Sequence, residues 1–248
     1  MGPTLFISDL HLHQTRPATT AAFFCFLANE AKGAASLYIL GDLFEYWVGD
    51  DQLDHDELAQ QVCTAIRTLT DNGVPVFFMH GNRDFLIGAR FAAEAKLTIL
   101  SDPTRTIVNG KPMLLLHGDT LCTDDHAYQQ FRRQARDPNW QRETLAKPYS
   151  ERVALATSIR ERSDTEKATK PDDIMDVSTA AVDAAFREHG YIEMIHGHTH
   201  RPARHVHFLD GHECIRHVLA DWHDQISFIS TASMSGGRAR SANSLAPS

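Results

Sequence analysis

The sequence predicts an α/β protein with an inserted helical segment, and three observations predict it. First, five short runs of apolar, β-prone residues each stop at a polar residue. They are 4–8 before Asp9, 37–40 before Gly41-Asp42, 74–79 before His80-Gly81-Asn82, 113–116 before His117, and 191–195 before His196-Gly197-His198. Second, helical periodicity fills the stretches after the first three runs, as crossovers between parallel strands require. Third, strand patterns stop altogether from Cys122 to about His189. Because α/β sheets keep their chemistry at the carboxyl ends of strands, these polar residues are candidates to share one edge.

At 248 residues and 42% hydrophobic content the chain suits one domain, with enough apolar surface for a sizeable core. The net charge of −8 argues against a nucleic-acid partner or a general anionic-membrane binder, since both need a dominant basic face. Cys25, Cys63, Cys122 and Cys214 are widely spaced and read as reduced thiols in a cytoplasmic protein. No signal-peptide pattern opens the chain, and no apolar run approaches the roughly 18 residues of a membrane span.

In order, residues 4–8 form a short buried strand. If extension persists beyond it, the two-residue period puts Asp9 and His11 on one side and Leu10 and Leu12 on the other. Pro17 and Thr19-Thr20 open a helix to about Ala31 that packs Phe23, Phe26 and Leu27 on the sheet, with Cys25 a packing residue. The strand at 37–40 reaches Asp42. Asp50, Asp51, Asp54, Asp56 and Glu57 read as a solvated loop and helix N-terminus rather than a metal site, and that helix runs from about Asp56 to Thr70. Residues 74–79 form the next strand. A helical pattern through Ala95 leads to two short strands joined by Asn109-Gly110, a type I′ hairpin signal.

Residues 126–170 carry ten Lys/Arg against six Asp/Glu, a local +4 inside an acidic chain. Tyr128, Phe131, Trp140, Leu145, Tyr149, Val153, Leu155 and Ile159 are scattered among those charges, and the segment reads as a helical cap inserted at about 122–189. The domain then spans 1–235. After the strand 191–195, the chain alternates like meander strands around Asp210-Gly211. His205, His207, His212, His217 and His223 lack a shared ligand spacing and read as strand or surface residues. The Ser-, Ala- and Arg-rich tail 236–248 is expected to be disordered.

Together the five ends offer carboxylates (Asp9, Asp42), an amide (Asn82) and imidazoles (His11, His117, His198, His200). Seven hard or borderline ligands exceed one tetrahedral ion and suit two octahedral divalent ions sharing a carboxylate bridge. Such pairs, roughly 3.5–4 Å apart, activate water and polarise a phosphoryl group for in-line attack. Asp42, on the central-looking strand, is the candidate bridge.

Asp9-x-His11, Gly41-Asp42, Gly81-Asn82, His117 and Gly197-His198-x-His200 resemble the five blocks of the calcineurin-like metallophosphoesterases. The resemblance implies a sandwich of two mixed β-sheets flanked by helices, holding two Mn²⁺, Fe or Zn ions. It implies Asp9, His11, Asp42 and His200 around one ion, and Asp42, Asn82, His117 and His198 around the other. Two positions depart from the family pattern. Glu45 stands where Asp is usual, in a supporting role. Arg83 stands where a His usually helps protonate the leaving group. An alkoxide needs that proton, whereas a phosphate with a second pKa of about 6 leaves as an anion. A guanidinium that forks two oxygens suits a diphosphate better.

Longer motifs resemble the UDP-2,3-diacylglucosamine hydrolase family of Gram-negative lipid A biosynthesis, over roughly residues 4–233. They are Ser8-Asp9-Leu10-His11-Leu12, Tyr38-Ile39-Leu40-Gly41-Asp42-Leu43-Phe44-Glu45, His80-Gly81-Asn82-Arg83-Asp84-Phe85, His117-Gly118-Asp119-Thr120-Leu121-Cys122-Thr123-Asp124-Asp125, Ile174-Met175-Asp176-Val177 and His196-Gly197-His198-Thr199-His200-Arg201-Pro202. This resemblance implies two Mn²⁺, with other divalent ions as substitutes, and water attacking the α-phosphorus to release UMP and 2,3-diacylglucosamine 1-phosphate. Asp42, Asn82, Arg83 and His198 are the expected catalytic residues. Asn82, Arg83, Asp125, Ser163, Lys170 and His198 are expected to meet the substrate. Arg160 joins them from the cap, as does Lys167, which stands where better-known relatives have Asn. The cap is expected to house the acyl chains and to touch the cytoplasmic face of the inner membrane by amphipathic contact. No obligate protein partner is expected. The competing readings are a cyclic-nucleotide phosphodiesterase or phosphatase of the same superfamily, or a non-catalytic scaffold.

Overall fold

The computed structural model describes residues 2–167, 176–223 and 225–234. The predicted tail, Lys170 and the Ile174-Met175 part of one motif lie outside them.

The first three apolar runs become β1 (Thr4–Ile7), β2 (Ser36–Leu40) and β3 (Val76–Met79), joined by α1 (Pro17–Ala28) and α2 (Glu57–Asp71). The helix α3 (Ala89–Ala95) leads to β4 (Thr98–Leu100), a strand too short to leave a pattern in the sequence. With β10 (Ile229–Ser230) these make one mixed sheet in the order β10-β1-β2-β3-β4, parallel except at β10. Asp42 therefore follows the central strand. Leu5, Ile7, Leu37 and Ile39 point to the helices and pack with Phe23, Phe26, Val62, Ile66 and Phe91. The alternate residues Phe6, Tyr38 and Leu40 point the other way. A strand buried on both faces needs apolar side chains at every position, which is why these runs are continuous.

The second sheet contains β5 (Thr104–Val108), β6 (Lys111–Leu115), β7 (Glu193–His196), β8 (Ala203–Leu209) and β9 (His212–Val218). Its order is β5-β6-β7-β9-β8, with β6, β7 and β9 parallel. The meander reading of 203–218 is thereby corrected. The hairpin folds back so that β9 takes the inner place beside β7 and β8 becomes the edge. Both hairpins are type I′, with Asn109 and Gly110 at φ 49° and 77° and Asp210 and Gly211 at 52° and 83°. Met113, Leu115 and Ile195 meet Phe6, Tyr38 and Leu40 between the sheets.

Between β6 and β7 lie α4 (His126–Ala135), α5 (Pro138–Leu145), α6 (Tyr149–Lys167) and α7 (Thr179–His189). Val182 and Phe186 of α7 pack with Leu114 and Met194 on the outer face of the second sheet. The helices that lean over the strand ends are α4 to α6. The acidic run has structural tasks, as expected: Asp56 caps α2 through the amides of Leu58 and Ala59, and Asp50 accepts from those of Gly88, Arg90 and Phe91 at the start of α3. Burial pushes the Cys63 and Cys122 thiols up to about 11 and about 12, so both are inert packing residues.

Candidate metal centre

The carboxyl ends of β1, β2 and β3 and of β6 and β7 meet at one end of the sandwich, so two sheets rather than one edge supply the ligands. The strand period is not what aims them. Asp9 (φ 57°), His11 (50°), Asp42 (55°), His198 (68°) and His200 (55°) all occupy the left-handed region, which non-glycine residues seldom adopt. Each chain turns sharply on leaving its strand. The surrounding bonds hold these conformations in place. The amides of Asp9 and His11 donate to the carbonyls of Gly41 (3.1 Å) and Asp42 (2.9 Å). Asp84 accepts from the amides of Gly81 (2.9 Å), Asp42 (3.3 Å) and Leu43 (2.7 Å), tying the β2 and β3 loops together. Gly41, at φ 89°, permits their approach, because a Cβ there would lie 2.6 Å from the Gly81 Cα.

The side chains fall into two groups around Asp42. On one side, His117 Nε2 and His198 Nδ1 lie 3.0 and 2.9 Å from Asn82 Oδ1, and His117 Nε2 lies 3.8 Å from Asp42 Oδ2. On the other, His11 Nε2 lies 4.0 Å from the same Asp42 oxygen and 3.4 Å from His200 Nε2, which is 3.5 Å from Asp9 Oδ1. Asp9, His11 and His200 form one compact ligand group, and Asp9, Asp42 and His117 another. The backbone amide of Arg83 occupies Asp42 Oδ1 at 2.8 Å. Asp9 Oδ2 accepts from Ser8 Oγ and from the His198 amide, whereas the buried Asp9 Oδ1 has no hydrogen-bond partner. An unsatisfied carboxylate oxygen facing two imidazoles fits a cation.

Further contacts orient the ligands. The His117 ring donates from Nδ1 to the Leu40 carbonyl at 2.8 Å, leaving Nε2 free to ligate. Burial disfavours a charged imidazole, yet carboxylates outweigh it at His117 (led by Asp42) and at His200 (led by Asp221), raising both to about 9. A divalent ion held by these residues would take over that balancing charge and displace those protons.

Around the ligands sits a ring of cap contacts. Glu45 lies 3.6 Å from His11 Nδ1 and 3.9 Å from Arg83, and also pairs with Arg160 of α6. At 3.6 Å it lies beside His11 without hydrogen-bonding it, and His11 Nδ1 is buried with no hydrogen-bond partner. The Nε of Arg83 is buried without a partner. From α4, Tyr128 Oη and Arg132 Nε both donate to buried Asp119, at 2.6 and 2.7 Å, and the Tyr128 ring rests 5.7 Å from that of His198. Arg136 donates to the Gly81 carbonyl, and Arg152 pairs with Asp51 and the Val48 carbonyl. Much of the basic surplus of the cap thus turns inward onto the sandwich.

The structure brings Asp9, His11, Asp42, Asn82, His117, His198 and His200 together, with Arg83 and Arg160 joined to them through Glu45. Asp125 caps α4 through the Tyr128 amide, and half-buried Ser163 lies one turn beyond Arg160. The side chain of Lys167 lies outside the described residues. Asp84, Asp119 and Asp221 had no sequence signal beyond being acidic. Asp84 and Asp119 at least fall inside the long motifs.

A family model described as calcineurin-like phosphoesterase matches residues 2–202. The chain belongs to that family of metal-dependent phosphoester hydrolases. A UDP-2,3-diacylglucosamine hydrolase of Aromatoleum aromaticum is 52% identical over 91% of each chain. One of Chromohalobacter salexigens is 51% identical over 88% of each, and one of Stenotrophomonas maltophilia 48% over 91% of this chain and 93% of the relative. Within the phosphoesterases, the chain therefore belongs with the UDP-2,3-diacylglucosamine hydrolases.

Proposed function

We propose that this chain cleaves the diphosphate of UDP-2,3-diacylglucosamine at a site holding two divalent ions, Mn²⁺ foremost, and releases UMP and 2,3-diacylglucosamine 1-phosphate. One observation carries the reading: Asp42 Oδ2 lies within 4.0 Å of His11 Nε2 and 3.8 Å of His117 Nε2, one oxygen facing two ligand groups. Asp9, His11, Asp42 and His200 would hold the first ion, and Asp42, Asn82, His117 and His198 the second. When bound, such a pair supplies Lewis acidity and an activated water.

The remaining tasks fall to side chains. Arg83, with its buried unpartnered Nε, forks the diphosphate and compensates charge on the departing phosphate. Arg160 approaches from the cap, and Glu45 spaces both guanidiniums against the site. Asn82 and His198 face both an ion and the substrate phosphate, while Asp125, Ser163, Lys167 and Lys170 contact the nucleotide or sugar. Tyr128, Phe131, Trp140, Tyr149 and Ile159 are half-buried and offer apolar surface for the acyl chains. No helix among the described residues is long and apolar enough to cross a membrane. We place the enzyme peripherally on the cytoplasmic face of the inner membrane, reaching its substrate by contact through the cap.

Turnover with Mn²⁺ in water enriched with heavy oxygen tests the reaction. Label is expected in UMP, and label in the lipid phosphate would overturn the site of attack.

A further inference from the structure

We propose that Asp221 is a positioning residue for the first ion, holding the His200 imidazole so that Nε2 faces Asp9 and His11. The inference rests on the dinuclear reading above.

His200 is held less by burial than His11 or His117. Its side chain is 35% exposed, against 10% for His11 and 0% for His117. An imidazole so open to solvent keeps its rotamer only through a partner at its other nitrogen. Asp221 Oδ2 lies 3.3 Å from His200 Nδ1, opposite the nitrogen that faces Asp9. Accepting the Nδ1 proton fixes the tautomer that leaves the Nε2 lone pair for a metal, and a carboxylate partner raises the ligand's basicity. The Leu40 carbonyl does the same for His117.

Asp221 is itself rigidly placed. His223 Nε2 lies 2.7 Å from the same Oδ2. The next residue, Trp222, is fully buried against Phe23 and Phe26, and its amide donates to the Asp9 carbonyl at 3.0 Å. Arg16 donates to the Trp222 carbonyl at 2.6 Å, and the Leu219 amide to that of His196 at 2.8 Å. One short segment thus touches the backbone of Asp9 and the ring of His200, two ligands of the same ion. A surface pairing with His223 does not account for this placement, since His223 is 78% exposed and such pairs contribute little.

Mn²⁺ titration calorimetry on wild type, Asp221→Ala and Asp221→Asn tests the role, beside thermal melts of the metal-free proteins. In Asp221→Ala one of two sites should weaken by roughly 10–100-fold while the other keeps its wild-type affinity. Asp221→Asn, whose amide oxygen still accepts from Nδ1, should fall between. Two sites of wild-type affinity in Asp221→Ala would overturn the proposal, as would a lower metal-free melting temperature with both sites weakened alike. A wild-type protein taking up one ion would instead overturn the dinuclear reading.

Discussion

The strand-end loops and the helices α4 to α6 face each other across the same site and are built on opposite principles. In the loops, Asp9, Asp42, His117 and Asp119 are essentially excluded from solvent, and backbone and carboxylate bonds fix each turn. In the helices, the large apolar side chains are only half-buried, and Leu145 is 43% exposed. Arginines rather than a hydrophobic core fasten them to the sandwich, through Asp119, Asp51, Glu45 and the Gly81 carbonyl. Positioning ions demands a geometry fixed to fractions of an ångström, whereas accepting acyl chains demands apolar area that can adapt. Substitutions in the two regions should therefore fail in different ways.

The largest effect belongs to the loops. Asp42→Ala should lower turnover by several orders of magnitude and abolish uptake of the second Mn²⁺, while circular dichroism stays native. Near-normal activity would sink the bridging role. Next comes Arg83→Ala, which should cost roughly 10²–10³-fold in kcat on the diphosphate substrate with Mn²⁺ stoichiometry unchanged. If Arg83 instead serves the cap, its loss would raise KM alone.

The cap should respond in KM. Ile159→Ala removes apolar surface beside Arg160 and should reduce kcat/KM on the diacyl substrate by about tenfold. Hydrolysis of a water-soluble diphosphate lacking acyl chains should be unaffected. Equal losses on both substrates would mean that α6 shapes the metal site itself, and the contrast between the regions would collapse.

These residues also mark how far the sequence could be read. The β-prone runs and their polar ends picked out seven side chains that the fold brings together, because a buried strand leaves continuous apolar residues whatever its neighbours. The turns that aim the ligands left no such trace, since Asp and His at positive φ look like any other Asp and His until the bonds that hold them are known. Asp221 was invisible for a related reason. It follows β9 and serves a ligand 21 positions earlier, so nothing local distinguishes it from a surface acid. The order of β8 and β9 was likewise undetermined, because one hairpin signal fits either placement against β7.

The smallest prediction concerns the acidic run 50–57, where counting carboxylates alone suggests a metal site. Asp56 accepts from the amides of Leu58 and Ala59 at the start of α2, and from Gln52 Nε2 at 3.1 Å. Asp56→Ala should thus cost about 1 kcal/mol of stability in urea denaturation, the usual loss at a helix N-cap. Turnover and the Mn²⁺ stoichiometry should not change, because α2 supports the sheet from the face opposite the second sheet and supplies no ligand. A hundredfold fall in activity without loss of stability would instead bring the acidic run into the chemistry, and the division between a fixed catalytic end and its supports would have to be redrawn.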